Sequence, residues 1–169
     1  MAGTARVTAD RGKEVPSALS EGMDLRDRVD ASRTTAGLAL GDLAAIATFV
    51  VAGEISHGVS PIGQFPTVLD TFAPFLLGWL VVAPLAGVYA RGIATRPRTA
   101  LPLVAWTWVA AALAGQGLRA TSLFHGGAAL PFVIVSIGVG MSLLVGWRSL
   151  AFFLAGRGSG GRVSSANRD

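Results

Sequence analysis

The sequence predicts an all-α integral membrane protein, a bundle of four transmembrane helices with both termini cytoplasmic. Three observations carry this. Hydrophobic residues make up 51% of the 169 positions and charged residues only 14%, where a soluble domain carries nearer a quarter. The charge is confined to the first 33 residues, one short loop and the C-terminal stretch, apart from a few isolated residues. Between these lie four long apolar blocks, and a charge inside hydrocarbon is costly enough to produce that segregation.

Residues 1–33 are expected to be a disordered polar tail. Six Lys/Arg and six Asp/Glu fall there among Gly, Ser and Pro, too little apolar surface to offset the entropy of ordering. The apolar run begins too late for a signal peptide, and Met23 is an alternative start point. The transmembrane domain is expected over residues 34–148, with helices at about 35–53, 68–89, 99–117 and 128–147, the fourth extendable to Leu154. Each block is close to the ~20 residues that cross a ~30 Å hydrocarbon core. Membrane β-strands would be about half as long and would alternate.

Breakers set the borders. Gly58, Pro61, Gly63 and Pro66 interrupt the first connection; the stretch from Arg91 to Arg98, with Pro97, interrupts the second; His125, Gly126 and Gly127 interrupt the third. Pro102 and Pro131 fall in first turns, where a missing N–H is harmless. Pro84 lies inside the second block and predicts a kink. Residues 149–169 read as a basic Gly/Ser-rich tail attracted to anionic lipid headgroups.

Orientation follows from counting Lys and Arg. Six precede the first helix. Arg91, Arg96 and Arg98 occupy the second loop. Arg148, Arg157, Arg162 and Arg168 follow the fourth helix, and only Arg119 falls on the other side. This places both termini in the cytoplasm of a multi-pass cell-membrane protein. Tyr89 and Trp147 fall at the expected inner boundary.

Small residues permit close helix approach in lipid. Candidate packing positions are Gly37 and Gly41 in the first helix, Ala111 and Gly115 in the third, and Gly138 and Ser142 in the fourth, which also carries Ser136 and Gly140 at that spacing.

Asp42 is the foremost candidate for chemistry, a carboxylate about 10 Å inside the first helix. Counting depth from the helix ends proposes Trp106, Trp108 and Ser142 as its partners, through indole N–H or hydroxyl donors. Such a site is either a buried helix–helix hydrogen bond or a proton- or cation-handling centre. A second, weaker cluster gathers on the opposite side: Glu54, His57, Asp70, Arg119 and His125. Its spacing fits no metal-ligand motif. Arg119 lies too far from Asp42 in depth to pair with it, and is expected to snorkel outward or to pair with Glu54 or Asp70.

Several chemistries are excluded. No cysteine is present, which removes disulfides, thiolate metal sites and thiol nucleophiles. Gly156, Gly158 and Gly161 match a dinucleotide fingerprint literally, but no strand precedes them. No catalytic, metal-binding or cofactor residues are identified. The basic flanks lack the interleaved aromatics of a nucleic-acid surface.

The layout resembles a prokaryotic membrane family known as domain of unknown function 3054. The residues that carry the resemblance are Asp42, Ser56-His57-Gly58, Pro74-Phe75-Leu76-Leu77-Gly78-Trp79, Trp106, Gly117-Leu118-Arg119, Pro131-Phe132-Val133 and Gly146-Trp147-Arg148. It covers roughly Thr35 to Arg148. The resemblance implies a four-helix membrane protein and no assigned activity.

Two roles are supported nearly equally. One is a structural or accessory membrane component, contacting the bilayer, anionic headgroups, and a second copy or another membrane protein. The other is a small transporter or channel-like protein that uses Asp42, as an oligomer because four helices are few for a monomeric pore. An enzyme centred on His57 and His125 ranks well behind.

Overall fold

A computed structural model describes residues 29–124, 127 and 129–160, the last three as backbone. Four helices make up the architecture: α1 (Arg33–Ser56), α2 (Phe65–Leu85), α3 (Pro97–Arg119) and α4 (Leu130–Gly160). All four are long and apolar enough to cross a membrane. His125 and the polar segments 1–28 and 161–169 lie outside the described residues.

Local chemistry explains where each helix begins and ends. Ser32 caps α1, its hydroxyl accepting the Thr35 N–H at 3.2 Å, which satisfies one of the orphan donors of a first turn. The end of α1 is a Schellman turn: Gly58 has φ 82°, its N–H bonds the Ile55 carbonyl, and Val59 N–H bonds the Glu54 carbonyl. Gly87, with φ 74°, closes α2 in the same way. Its N–H bonds Pro84 O at 3.0 Å, and Val88 N–H bonds Ala83 O at 3.0 Å. A left-handed residue of this kind costs least as glycine.

That turn corrects the expected course of the second helix. The apolar block predicts a helix that reaches Tyr89 with a kink at Pro84. The helix stops at Leu85 instead, so Pro84 occupies the last turn and Pro74 is the interior proline. Tyr89 consequently sits in a loop that doubles back under the bundle.

The fourth helix differs more. Expected to end near Trp147, with an extension to Leu154 at most, it runs to Gly160, about 45 Å at 1.5 Å per residue. The sequence Ser149-Leu150-Ala151-Phe152-Phe153-Leu154-Ala155 contains no breaker and is apolar, so nothing stops the helix there. Gly156 and Gly158 are therefore helical rather than part of a flexible tail.

The helices form a ring. α1 packs on α2, α2 on α3, α3 on α4, and α4 closes against α1. Short connections make chain neighbours antiparallel. The start of α1, the α2–α3 loop and the end of α4 thus share one end, the basic end. A backbone bridge between Val29 and Tyr89 ties two of these segments together, with Asp30 N–H donating to Tyr89 O at 2.9 Å.

Aromatic rings fill the centre. Phe49 of α1 meets Phe75 and Trp108 edge-on, with centroids 5.3 and 5.9 Å away. Phe75 stacks on Trp108 at 6.0 Å, and Phe132 approaches Phe75 at 6.2 Å. The rings thereby cross both diagonals of the ring of helices.

Small residues set the backbone approach. A Cβ on Gly78 would strike the Ala111 carbonyl oxygen, and one on Gly115 would meet the Pro74 oxygen at 3.1 Å. Gly41 makes room for the Trp147 indole and Gly140 for the Trp108 indole. Of the candidate packing positions, Gly41, Ala111 and Gly115 sit at helix contacts. Gly37 and Gly138 face open space, and Ser142 is exposed. The helical phase of the fourth helix turns its Ser136–Gly140 row inward and its Gly138–Ser142 row outward.

The outer surface is apolar. Leu77, Leu80, Val81, Leu113, Ile134 and Val139 are all exposed. Water is a poor solvent for so continuous an apolar belt, and lipid a good one. This is the surface of a multi-pass membrane protein.

Candidate functional site

Asp42 lies on the buried stripe of α1 with Leu38, Ala45, Ile46 and Phe49. It is fully buried, and so is Arg148 of α4. Arg148 ends a row with four-residue spacing, Ser136, Gly140, Leu144, Arg148, all of it buried. The side chains meet side-on. Arg148 Nε donates to Asp42 Oδ1 at 2.9 Å, and Arg148 Nη2 donates to Asp42 Oδ2. A bidentate guanidinium–carboxylate pair is among the stronger polar contacts available, because both bonds are charge-assisted and the planar groups match.

Two aromatic residues complete the network. The Tyr89 hydroxyl donates to Asp42 Oδ2 at 2.8 Å, and Trp79 Nε1 donates to the Tyr89 oxygen at 3.0 Å. The Arg148 guanidinium also stands 5.4 Å from the centre of the Tyr89 ring. The network therefore joins α1, α2, the α2–α3 loop and α4. Burial, and next the Asp42 charge, push the Tyr89 phenol well above its ordinary range. The hydroxyl stays protonated and remains a donor.

The chemistry available here is narrow. Asp42 accepts three hydrogen bonds and faces one full positive charge, so its oxygens are committed within the protein. Among the described residues no group of three or more His, Cys, Asp or Glu comes together as a metal site.

The partners that depth counting proposed for Asp42 lie elsewhere. Trp106 is 74% exposed on the outer surface of α3. Trp108 is buried at the centre, but its indole N–H is shared by the Ser136 and Ile137 carbonyls, each 3.2 Å away. Ser142 is exposed and bonds the Gly138 carbonyl of its own helix at 2.8 Å. For Ser142 the depth count failed because it took Arg148 as a surface marker. Arg148 instead sits about 27 Å along α4, with apolar residues on both sides. Two signals in the sequence pointed to it: the inward row from Ser136, and the apolar stretch that continues beyond it to Ala155.

At the opposite end the weaker cluster is brought partly together. Glu54, in the last turn of α1, accepts a hydrogen bond from Thr71 Oγ1 at 2.6 Å. Glu54 and Asp70 both act electrostatically on Arg119. The Arg119 guanidinium also lies 5.0 Å over the Phe132 ring. His57 is the cap residue that ends α1. Thr71 and Phe132 are members of this cluster that spacing alone did not reveal.

Comparison with curated proteins and with solved structures returns no match. One family, described as a protein of unknown function (DUF3054), matches residues 39–151, a span that includes Asp42, Glu54, Tyr89 and Arg148, and the chain belongs to that family.

Proposed function

We propose that this protein is a structural or accessory component of the cell membrane, with both termini in the cytoplasm. The observation that carries the proposal is the committed state of Asp42. A site that handles a proton or cation in transit needs a carboxylate with a free coordination position. Asp42 has a bidentate guanidinium and a phenol instead. Such a pair is a poor source of raw stability, since desolvating two charges offsets their attraction, but it fixes register between elements. Here it fixes α4 against α1 and holds the basic-end loop beneath them.

The cytoplasmic placement of the basic end rests on the Lys/Arg distribution. Removing the buried Arg148 from the surface count leaves twelve on that side and Arg119 alone on the other. Arg33, Arg91, Arg96 and Arg98 are exposed there, a surface suited to anionic headgroups. The apolar outer belt is available to a second copy or to another membrane protein.

Crosslinking in native membranes tests the reading. An accessory component yields one discrete adduct, with itself or with a second protein. A chain recovered only as a monomer at every probed position contradicts it.

A further inference from the structure

The two ends of the bundle differ in charge balance. At the basic end, Asp42 and Arg148 cancel. At the opposite end, two carboxylates, Glu54 and Asp70, stand against one guanidinium, Arg119, leaving one negative charge in excess among the described residues. Beside Glu54 is a cavity of about 70 Å³, partly open to the surface and lined by Phe49, Gly53, Glu54, His57, Thr71 and Phe132, among others.

We propose that this cavity is a binding site for a primary ammonium group. Thr71 Oγ1 occupies one carboxylate oxygen of Glu54, and the second accepts no hydrogen bond among the described residues. An ammonium donates to it. The Thr71 oxygen is a further acceptor, and His57 also lines the cavity. Phe49 and Phe132 also line the cavity, and a ring face attracts a cation. Phe132 already accepts the Arg119 guanidinium at 5.0 Å in this way.

Ligand type decides the class of cation. A water needs about 10–15 Å³ of such cavity space, so the cavity has room for a small ammonium group. A divalent metal ion is disfavoured because hard cations such as calcium take 6–8 oxygen ligands. The wall offers one carboxylate and hydroxyls. An ammonium needs only a few acceptors and tolerates rings for the remainder. The site lies in the last turn of α1, at the end of a helix long and apolar enough to cross a membrane, so free methylammonium and the headgroup of phosphatidylethanolamine present the same chemistry to it.

The test uses the full chain in nanodiscs of phosphatidylcholine, titrated calorimetrically with methylammonium chloride at constant ionic strength. Saturable binding is expected, with potassium and tetramethylammonium at least about tenfold weaker. Glu54→Gln keeps an acceptor for Thr71 but removes the charge, and is expected to weaken binding about tenfold or more. Gly53→Leu is the second variant: Gly53 lines the cavity and a Cβ there meets nothing within 4 Å, so a larger side chain is expected to narrow the cavity. It too is expected to lose binding. If the lipid headgroup is the natural occupant, replacing the bilayer with phosphatidylethanolamine abolishes the methylammonium heat; if the free ion is, the heat persists. Absence of saturable binding overturns the proposal. So does potassium binding equally well, or binding unchanged in both variants.

Discussion

Asp42 and Arg148 stand 106 positions apart in the chain and form a two-point ion pair with no exposed surface on either side chain. The pair closes the ring of helices, because α1 and α4 are the first and last elements and no connecting loop holds them together. It also fixes what lies beneath it, since Tyr89 bonds the same carboxylate.

Tyr89 is the only tyrosine, so its phenolate can be followed by ultraviolet absorbance without interference from another phenol. Burial and the neighbouring carboxylate raise its pKa above the ordinary value of 10.0. The midpoint of the alkaline transition in the folded protein is therefore expected above that of free tyrosine. The linkage sign follows. A raised folded-state pKa means the native state holds the proton more tightly than the unfolded chain. The stability this contributes is complete below about pH 10 and is lost as pH rises through the folded value. Tyr89→Phe is expected to flatten that alkaline decline. A midpoint at the ordinary value contradicts the buried hydrogen bond.

At neutral pH, Tyr89→Phe also removes one donor from Asp42 and the acceptor of the Trp79 indole. The expected loss is about 1–3 kcal/mol, the cost of unmet buried polar groups. Thermal unfolding in detergent measures it. The control is Leu80→Phe on the exposed face of α2, which is expected to leave the transition unmoved.

Gly78 and Gly37 look alike in sequence and differ in structure. A Cβ at Gly78 collides with the Ala111 backbone, while one at Gly37 meets nothing within 4 Å. Gly78→Ala is expected to cost about 1–3 kcal/mol through overpacking. Gly37→Ala is expected to be neutral or slightly stabilising, by helix propensity. Equal melting temperatures for the two variants would show that α2 and α3 do not approach at this point.

The natural absence of cysteine makes topology directly measurable. Ser60 and Thr95 are exposed loop positions at opposite ends of the bundle. Ser60→Cys is expected to react with a membrane-impermeant maleimide added outside intact cells, and Thr95→Cys only after permeabilisation. The reverse pattern inverts the proposed orientation.

The helices were legible because a bilayer imposes a length and a composition that few soluble folds reproduce. Ends were less legible. The stop of α2 depends on Gly87 adopting a positive φ, and an apolar run through Val88 and Tyr89 hides it. Arg148 was the larger omission. An arginine after a long apolar block ordinarily marks the membrane surface, and Trp147 beside it strengthens that impression. Its burial depends on a carboxylate in another helix, a long-range fact that local composition does not encode. Asp42 was legible for the opposite reason: an isolated carboxylate in an apolar block has no benign surface reading, so only the identity of its partner was missed.

The most direct test of the account is a double-mutant cycle on the ion pair, read by unfolding in detergent micelles. Asp42→Asn and Arg148→Met each strand a buried charge and are expected to cost about 3–5 kcal/mol. The double variant, with no charge to strand, is expected to recover most of that loss. Additive losses across the cycle, or single variants as stable as the parent, would contradict the claim that Asp42 and Arg148 lock the bundle.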